Sequence, residues 1–241
     1  MKQLILNQLQ KKFGSFEAVK KISFSIEKNQ TVALLGPNGC GKTTTIAMIL
    51  GLITPTSGTI TIHNQVLGKE HHYLSKMNFA SPYVELPKKL KVIENLKVYA
   101  MMYEVENAKN KIEQLIEELN LAPILYKKTG ELSSGQRNRV SLAKAIINDP
   151  EILLLDEPTA SLDPDTGDFI RTFLENYKKR NSMATLLASH NMDEVTRLSD
   201  YVLMMKEGCI IDEGTASDLI NKHGRQDLEE VFLKLARQNE N

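Results

Sequence analysis

The chain has 241 residues, 41% of them apolar and 25% charged, enough for one large domain, or one domain with a lobe, around a sizeable core. Its 30 lysines and arginines balance its 30 aspartates and glutamates, a neutrality without a basic stripe that disfavours nucleic acid as a partner. The longest apolar run, 46–53, falls short of the roughly 20 residues a membrane span needs. No signal-peptide core follows Met1, and the distant Cys40 and Cys209 form neither a metal spacing nor a disulfide framework. A reducing, cytoplasmic setting is expected.

The first 30 residues and the stretch 59–66 read as short strands, with turn signals at Gly14, Lys28-Asn29 and His63-Asn64. They predict a small antiparallel layer, one strand of it fed by a turn at Thr56-Ser57-Gly58. Between them Thr31 to Leu35 is an apolar run that reads as a buried strand, and Thr44 to Leu50 reads as the opening of a helix. Joining the two, Gly36, Pro37, Asn38, Gly39, Cys40, Gly41, Lys42 and Thr43 fit G-x-x-x-x-G-K-[ST]. Glycines let such a loop curl so that its N–H groups converge, and the helix N-terminus adds partial positive charge. In that setting Lys42 would reach the β- and γ-phosphates of a nucleotide, and the Thr43 hydroxyl would ligate Mg²⁺. The same surroundings favour a reactive thiolate at Cys40.

From about Val92 to Leu121 the apolar spacing turns helical, with Ile112, Leu115, Ile116 and Leu119 on one face. A second helix is expected over 137–148, stopped by Pro150. Just before it, Ser133 in Leu132-Ser133-Ser134-Gly135-Gln136 is a good N-cap, and Gly135 admits close backbone approach. Ile152 to Leu155 and Ala184 to Ala188 are continuous apolar runs, typical of parallel strands buried on both faces, with a crossover helix over 168–179. A hairpin over 201–211 turning at Glu207-Gly208 and a helix carrying Leu228, Val231, Phe232 and Leu235 complete the pattern.

The strand 152–155 ends in Asp156 and Glu157. Ligands gather at the carboxyl ends of such strands, so Asp156 is a candidate to hold Mg²⁺ through water. Glu157 could take a proton from the water attacking the γ-phosphate.

With the phosphate-loop pattern, the carboxylate pair and the segment Leu132 to Gln136 in this order, nearly the whole chain resembles the ATP-binding cassette (ABC) family, the nucleotide-binding subunits of ABC transporters. Leu132 to Gln136 stands at that family's signature sequence, with Ser134 where Gly is usual. Ser161-Leu162-Asp163 looks like its D-loop, His190 like its switch histidine, and Phe13 like its adenine-stacking aromatic. The resemblance implies an α/β fold: a P-loop NTPase core with a mostly parallel sheet (1–80 and 151–241), an antiparallel β layer at the N-terminal side and an inserted helical lobe (81–150), together one domain. It implies ATP held by Phe13, Gly36 to Thr44, Ser133, Gly135, Gln136 and Asp163, with Thr43 and Asp156 on Mg²⁺ and Lys42, Glu157 and His190 as the catalytic groups.

It further implies a head-to-tail dimer, homomeric or heteromeric, in which Ser133 and Gly135 of one cassette meet the γ-phosphate held by Lys42 of the other. A separate membrane-spanning permease would touch the segment 80–86 on the inner face of the membrane. The tail Leu228 to Leu233 looks like that of the ABC-2-type exporter group. One position departs from the family: aligned on Leu90, Val92, Glu94, Asn95 and Leu96, the expected Q-loop Gln falls on Pro82, leaving Ser81 as the nearby hydroxyl. The competing reading is a soluble cassette ATPase that moves no solute. A generic P-loop kinase or GTPase is a further rival, against which the Leu132 to Gln136 segment argues.

Overall fold

The computed structural model describes residues 1–68, 72–83 and 85–238. Its contacts divide it into two units, Met1–Tyr73 joined by the stretch from Ala184 onward, and Leu74–Met183.

The first unit opens on a hairpin of β1 (Lys2–Phe13) and β2 (Phe16–Glu27), longer strands than the sequence led us to expect. Leu4, Leu6 and Leu9 on one strand and Val19, Ile22 and Ile26 on the other are buried. β3 (Thr31–Leu35) is buried throughout. The helix α1 (Lys42–Ile49) begins two residues earlier than the predicted Thr44, because Gly41 takes φ 109° at its N-cap. β4 (Ser57–Ile62) and β5 (Gln65–Val66) follow, giving an antiparallel sheet in the order β2-β1-β4-β5. The expected turn at 56–58 is already strand at Ser57. Gly58 makes this possible, since a Cβ there would stand 2.3 Å from the Gln8 carbonyl oxygen of the neighbouring strand.

In the second unit β6 (Met77–Ala80) pairs in parallel with β7 (Ile152–Asp156). Between them lie α2 (Val92–Met102), α3 (Ala108–Glu118) and α4 (Ser134–Ile146). The single helical pattern over 92–121 is thus two helices, broken where Glu104 and Asn107 adopt φ of 52° and 51°. The Asn95 amide, buried on α2, donates to the carbonyls of Leu90 (3.4 Å) and Lys91 (3.1 Å) and so holds the loop entering that helix. α5 (Pro164–Arg180) outruns the predicted 168–179, because Asp163 caps it and Pro164 suits its first turn. Its Tyr177 hydroxyl donates to Asp149 (2.8 Å), which also pairs with Lys111 (2.5 Å).

The chain returns to the first unit with β8 (Ala184–Ser189), α6 (Met192–Leu198), β9 (Tyr201–Lys206), β10 (Cys209–Gly214), α7 (Ala216–His223) and α8 (Leu228–Gln238). β8 and β9 flank β3 in parallel, and β10 folds back antiparallel on β9 through Glu207 and Gly208, both at positive φ. The antiparallel layer, the mostly parallel strands and the helices between β6 and β7 make a mixed α/β fold of the kind the sequence predicts. Among the described residues no helix is long and apolar enough to cross a membrane.

Candidate nucleotide site

The loop after β3 is tied down from two sides. Gly36 N–H donates to the Ser189 carbonyl at the end of β8 (3.4 Å), and the Cys40 carbonyl accepts from Gly208 N–H in the β9–β10 turn (3.0 Å). A Cβ on Gly36 would stand 2.3 Å from the Met205 carbonyl oxygen, and one on Gly41 2.6 Å from that of Ala18. Ala18 is the extra residue of a bulge in β2, where Lys11 pairs with Val19 and Lys12 with Glu17. The bulge therefore supports the loop from below, and Gly39 (φ 81°) and Gly41 supply its left-handed turns.

Lys42 is buried, and its ammonium reaches back over the loop to donate to the carbonyls of Gly36 (2.6 Å) and Pro37 (3.3 Å). Thr43 and Thr44 follow in the first turn of α1, Thr43 exposed. A curled backbone, a lysine and a helix N-terminus on one short segment suit a polyphosphate. Cys40 differs from the expectation of a reactive thiolate. It is 3% exposed, and its Sγ lies against Gly36, 2.8 Å from where a Cβ would stand. The thiol packs into the underside of the loop instead of facing its mouth.

Two more candidates belong to this unit. His190 is exposed directly after β8, on backbone that is closely held. The buried Ser189 hydroxyl donates to the buried Glu194 carboxylate (2.6 Å) and accepts from Asn191 N–H (3.0 Å), while Asn191 caps α6 by accepting from Glu194 N–H (3.0 Å). The Ser189–Glu194 pair was missed in the sequence; the Asn-x-x-Glu spacing of a capping box was the signal that could have found it. Phe13 ends β1 with 47% of its surface exposed, and the Lys11 ammonium sits 4.9 Å from its ring centroid.

The remaining candidates stand in the second unit. Ser133 and Gln136 form a reciprocal capping box at the start of α4: Ser133 Oγ accepts from Gln136 N–H (3.3 Å), and Gln136 Oε1 from Ser133 N–H (3.2 Å). Gly135 allows close approach as expected, but to α5: a Cβ there would meet Thr166 at 2.9 Å. Asn138 donates to the Pro158 carbonyl (2.7 Å), linking α4 to the loop after β7. Asp156 and Glu157, both buried, stand at the carboxyl end of β7, and Glu157 adopts φ 52°, a strained backbone for a non-glycine residue.

Asp163 accepts from Thr166 N–H (3.0 Å), and the backbone and side-chain donors of Thr166 hold its carboxyl below the ordinary value. Ser81 is buried at the end of β6, where its hydroxyl accepts from Tyr83 N–H (3.3 Å) and closes a turn around Pro82. Of the segment 80–86 expected to meet a permease, Val84 lies outside the described residues. For Mg²⁺ the donor chemistry fits: a Thr43 hydroxyl and an Asp156 carboxylate are hard oxygen ligands, the kind that ion takes in ones and twos while keeping water.

Comparison with known proteins gives this arrangement a family. The model of the family described as ABC transporter matches residues 19–160. The chain is 34% identical over 227 residues to the Nod factor export ATP-binding protein I of Burkholderia orbicola (strain AU 1054), covering 93% of this chain and 74% of that one. It is 33% identical to the ABC transporter ATP-binding protein NatA of Bacillus subtilis (strain 168), covering 92% of each. A solved structure described as the ATP binding subunit of an ABC transporter shares the fold, with a TM-score of 0.88 at 24% identity over 97% of this chain and 99% of that one. The chain belongs to the ABC transporter family, as one of its ATP-binding subunits.

Proposed function

We propose that this ABC ATPase holds MgATP on the loop 36–43 and uses its hydrolysis to drive a separate membrane-spanning permease, in the direction of export. The observation that carries the phosphate site is Lys42, whose ammonium spans the loop between the Gly36 and Pro37 carbonyls. A triphosphate would draw it from those neutral oxygens onto β- and γ-phosphate oxygens, a stronger charge-assisted pairing. Gly36 to Thr44 would cradle the phosphates and Phe13 would stack on the base. Thr43 and Asp156 would hold Mg²⁺, which when bound neutralises phosphate charge. Glu157 would accept the proton of the attacking water and His190 would stabilise the developing charge.

The site is complete only when a second cassette, identical or homologous, presents Ser133, Gly135 and Gln136 to the γ-phosphate, with Asp163 at the contact. A phosphate bridging two halves makes closure depend on ATP, and hydrolysis removes the bridge. The 241 residues act as one ATPase domain on the cytoplasmic face of the membrane. Family membership supports the permease; the export reading rests on the relative from Burkholderia, whose name states export. On the second unit, exposed Tyr83, Met101 and Met102 (72%, 78% and 68%) offer apolar contacts for that partner.

Glu157→Gln tests the assignment. It should bind ATP, accumulate as an ATP-dependent dimer in light scattering, and lose about 10²–10⁴-fold in turnover, the contribution of a general base. Near-normal turnover would remove Glu157 from the role.

A further inference from the structure

The tip of the β1–β2 hairpin carries a second exposed aromatic that the family reading does not use. Phe13 and Phe16 are direct cross-strand partners on either side of Gly14-Ser15, and they are 47% and 64% exposed. Directly opposed residues of an antiparallel pair point to the same face of the sheet, so the two rings share one side of the hairpin. Exposure of a single large apolar residue needs no explanation; a matched pair of rings at one tip, with Lys11 over one of them, offers flat apolar surface for stacking.

Its place relative to the phosphate loop comes from the same strand. Two residues beyond Phe16, about 7 Å along an extended chain, the bulged Ala18 puts its carbonyl against Gly41, and Val19 Cγ2 stands 3.3 Å from where a Gly41 Cβ would be. The strand that bears Phe16 is therefore the strand the loop rests on, and Phe16 stands two residues along it from that contact. β2 is held to the loop at Ala18 and to the β9–β10 turn by Lys20 N–H donating to the Gly208 carbonyl (2.8 Å), two to four residues from Phe16.

We propose that Phe16 is a second base-contacting residue, forming with Phe13 an aromatic corner that favours purine over pyrimidine nucleotides. The proposal rests on the reading of loop 36–43 as the triphosphate site. Phe13 alone gives one stacking face, which any base satisfies. The second ring adds contact only for a base wide enough to extend from Phe13 to Phe16, and a two-ring purine has that reach where a one-ring pyrimidine does not.

Equilibrium titrations of ATP, UTP and inorganic tripolyphosphate against the wild-type chain, Phe16→Ala, Phe13→Ala and Lys42→Ala decide it. Phe16→Ala should weaken ATP roughly fivefold or more, in the range of one lost base–aromatic contact, weaken UTP less, and leave tripolyphosphate unchanged. ATP affinity unchanged in Phe16→Ala while Phe13→Ala weakens it would overturn the proposal. So would equal losses for ATP and tripolyphosphate, which would mean that Phe16 acts on the loop through the hairpin and not on the base. If Lys42→Ala keeps wild-type affinity for both ATP and tripolyphosphate, the triphosphate reading itself fails, a result the Phe16 variant alone cannot produce.

Discussion

Gly36 has no room for a side chain, and the reason lies 169 positions along the chain, at the Met205 carbonyl that a Cβ would approach to 2.3 Å. That contact also fixes the fate of Cys40. Its sulfur fills the space under Gly36, so the thiol is shielded by the loop it belongs to. The loop pattern was legible in the sequence because eight consecutive residues carry it. The orientation of Cys40 was not, because β9 and β2 supply the walls, and neither is adjacent to it in the chain. The consequence is measurable. In a Cys209→Ser background, maleimide should label native Cys40 slowly and MgATP should change the rate little, whereas denaturant should make labelling fast. Rapid native labelling that MgATP blocks would show that the loop opens and that the thiol faces its mouth.

At the scale of elements, the buried strands β3, β7 and β8 were readable as apolar runs, and the β9–β10 hairpin as Glu207-Gly208 between two such runs. The short helices α6 and α7 went unread. Seven and eight residues are too few to show a period, and both are specified by caps, Asn191 and Thr215, each accepting from the N–H three residues on. α7 has a further anchor in Asp212 on β10, which accepts from Lys222 Nζ (2.6 Å) and faces His223 Nε2 (2.6 Å), while Lys234 on α8 donates to the His223 carbonyl (3.1 Å). Burial would push the Asp212 carboxyl up, but the hydrogen bonds from Lys222 and His223 outweigh it and hold it below the ordinary value.

A carboxyl with a depressed folded pKa contributes stability above its unfolded value of about 4 and loses it as pH falls through the folded value. Asp212→Asn should therefore cost about 1 kcal/mol near neutral pH, the scale of a partly exposed ion pair. That corresponds to a fall of roughly 2–4 °C in Tm. The difference from wild type should shrink as pH drops below about 4. A gap that stays constant down to acid pH would assign the loss to packing and not to charge.

For the whole molecule, the family and the order of its motifs stood in the sequence, since each motif is a short local pattern. How hydrolysis reaches a partner did not, and Pro82 is where that question concentrates. The groups assigned to hydrolysis, Lys42, Thr43, Asp156, Glu157 and His190, are all present. A glutamine missing at position 82 removes one neutral contact, a loss of about 0.5–1.5 kcal/mol, or roughly tenfold in rate at most. What the structure adds is the turn that proline makes here. Its φ is confined near −65° and the preceding residue is kept extended, and the Ser81 hydroxyl closes the turn by accepting from Tyr83 N–H, with Tyr83 72% exposed. The turn is stiff, and it presents an exposed aromatic on the segment proposed to meet the permease. Pro82→Gln should therefore change ATPase activity of the isolated cassette by less than about tenfold and change its stimulation by the permease more. Ser81→Ala should be harsher on both, because it removes the hydroxyl that closes the turn, one residue before the position where the family places its glutamine. ATPase assays on the isolated cassette and on the reconstituted complex separate the two effects. Equal changes in both settings for Pro82→Gln would mean that the segment serves hydrolysis alone and that coupling runs elsewhere.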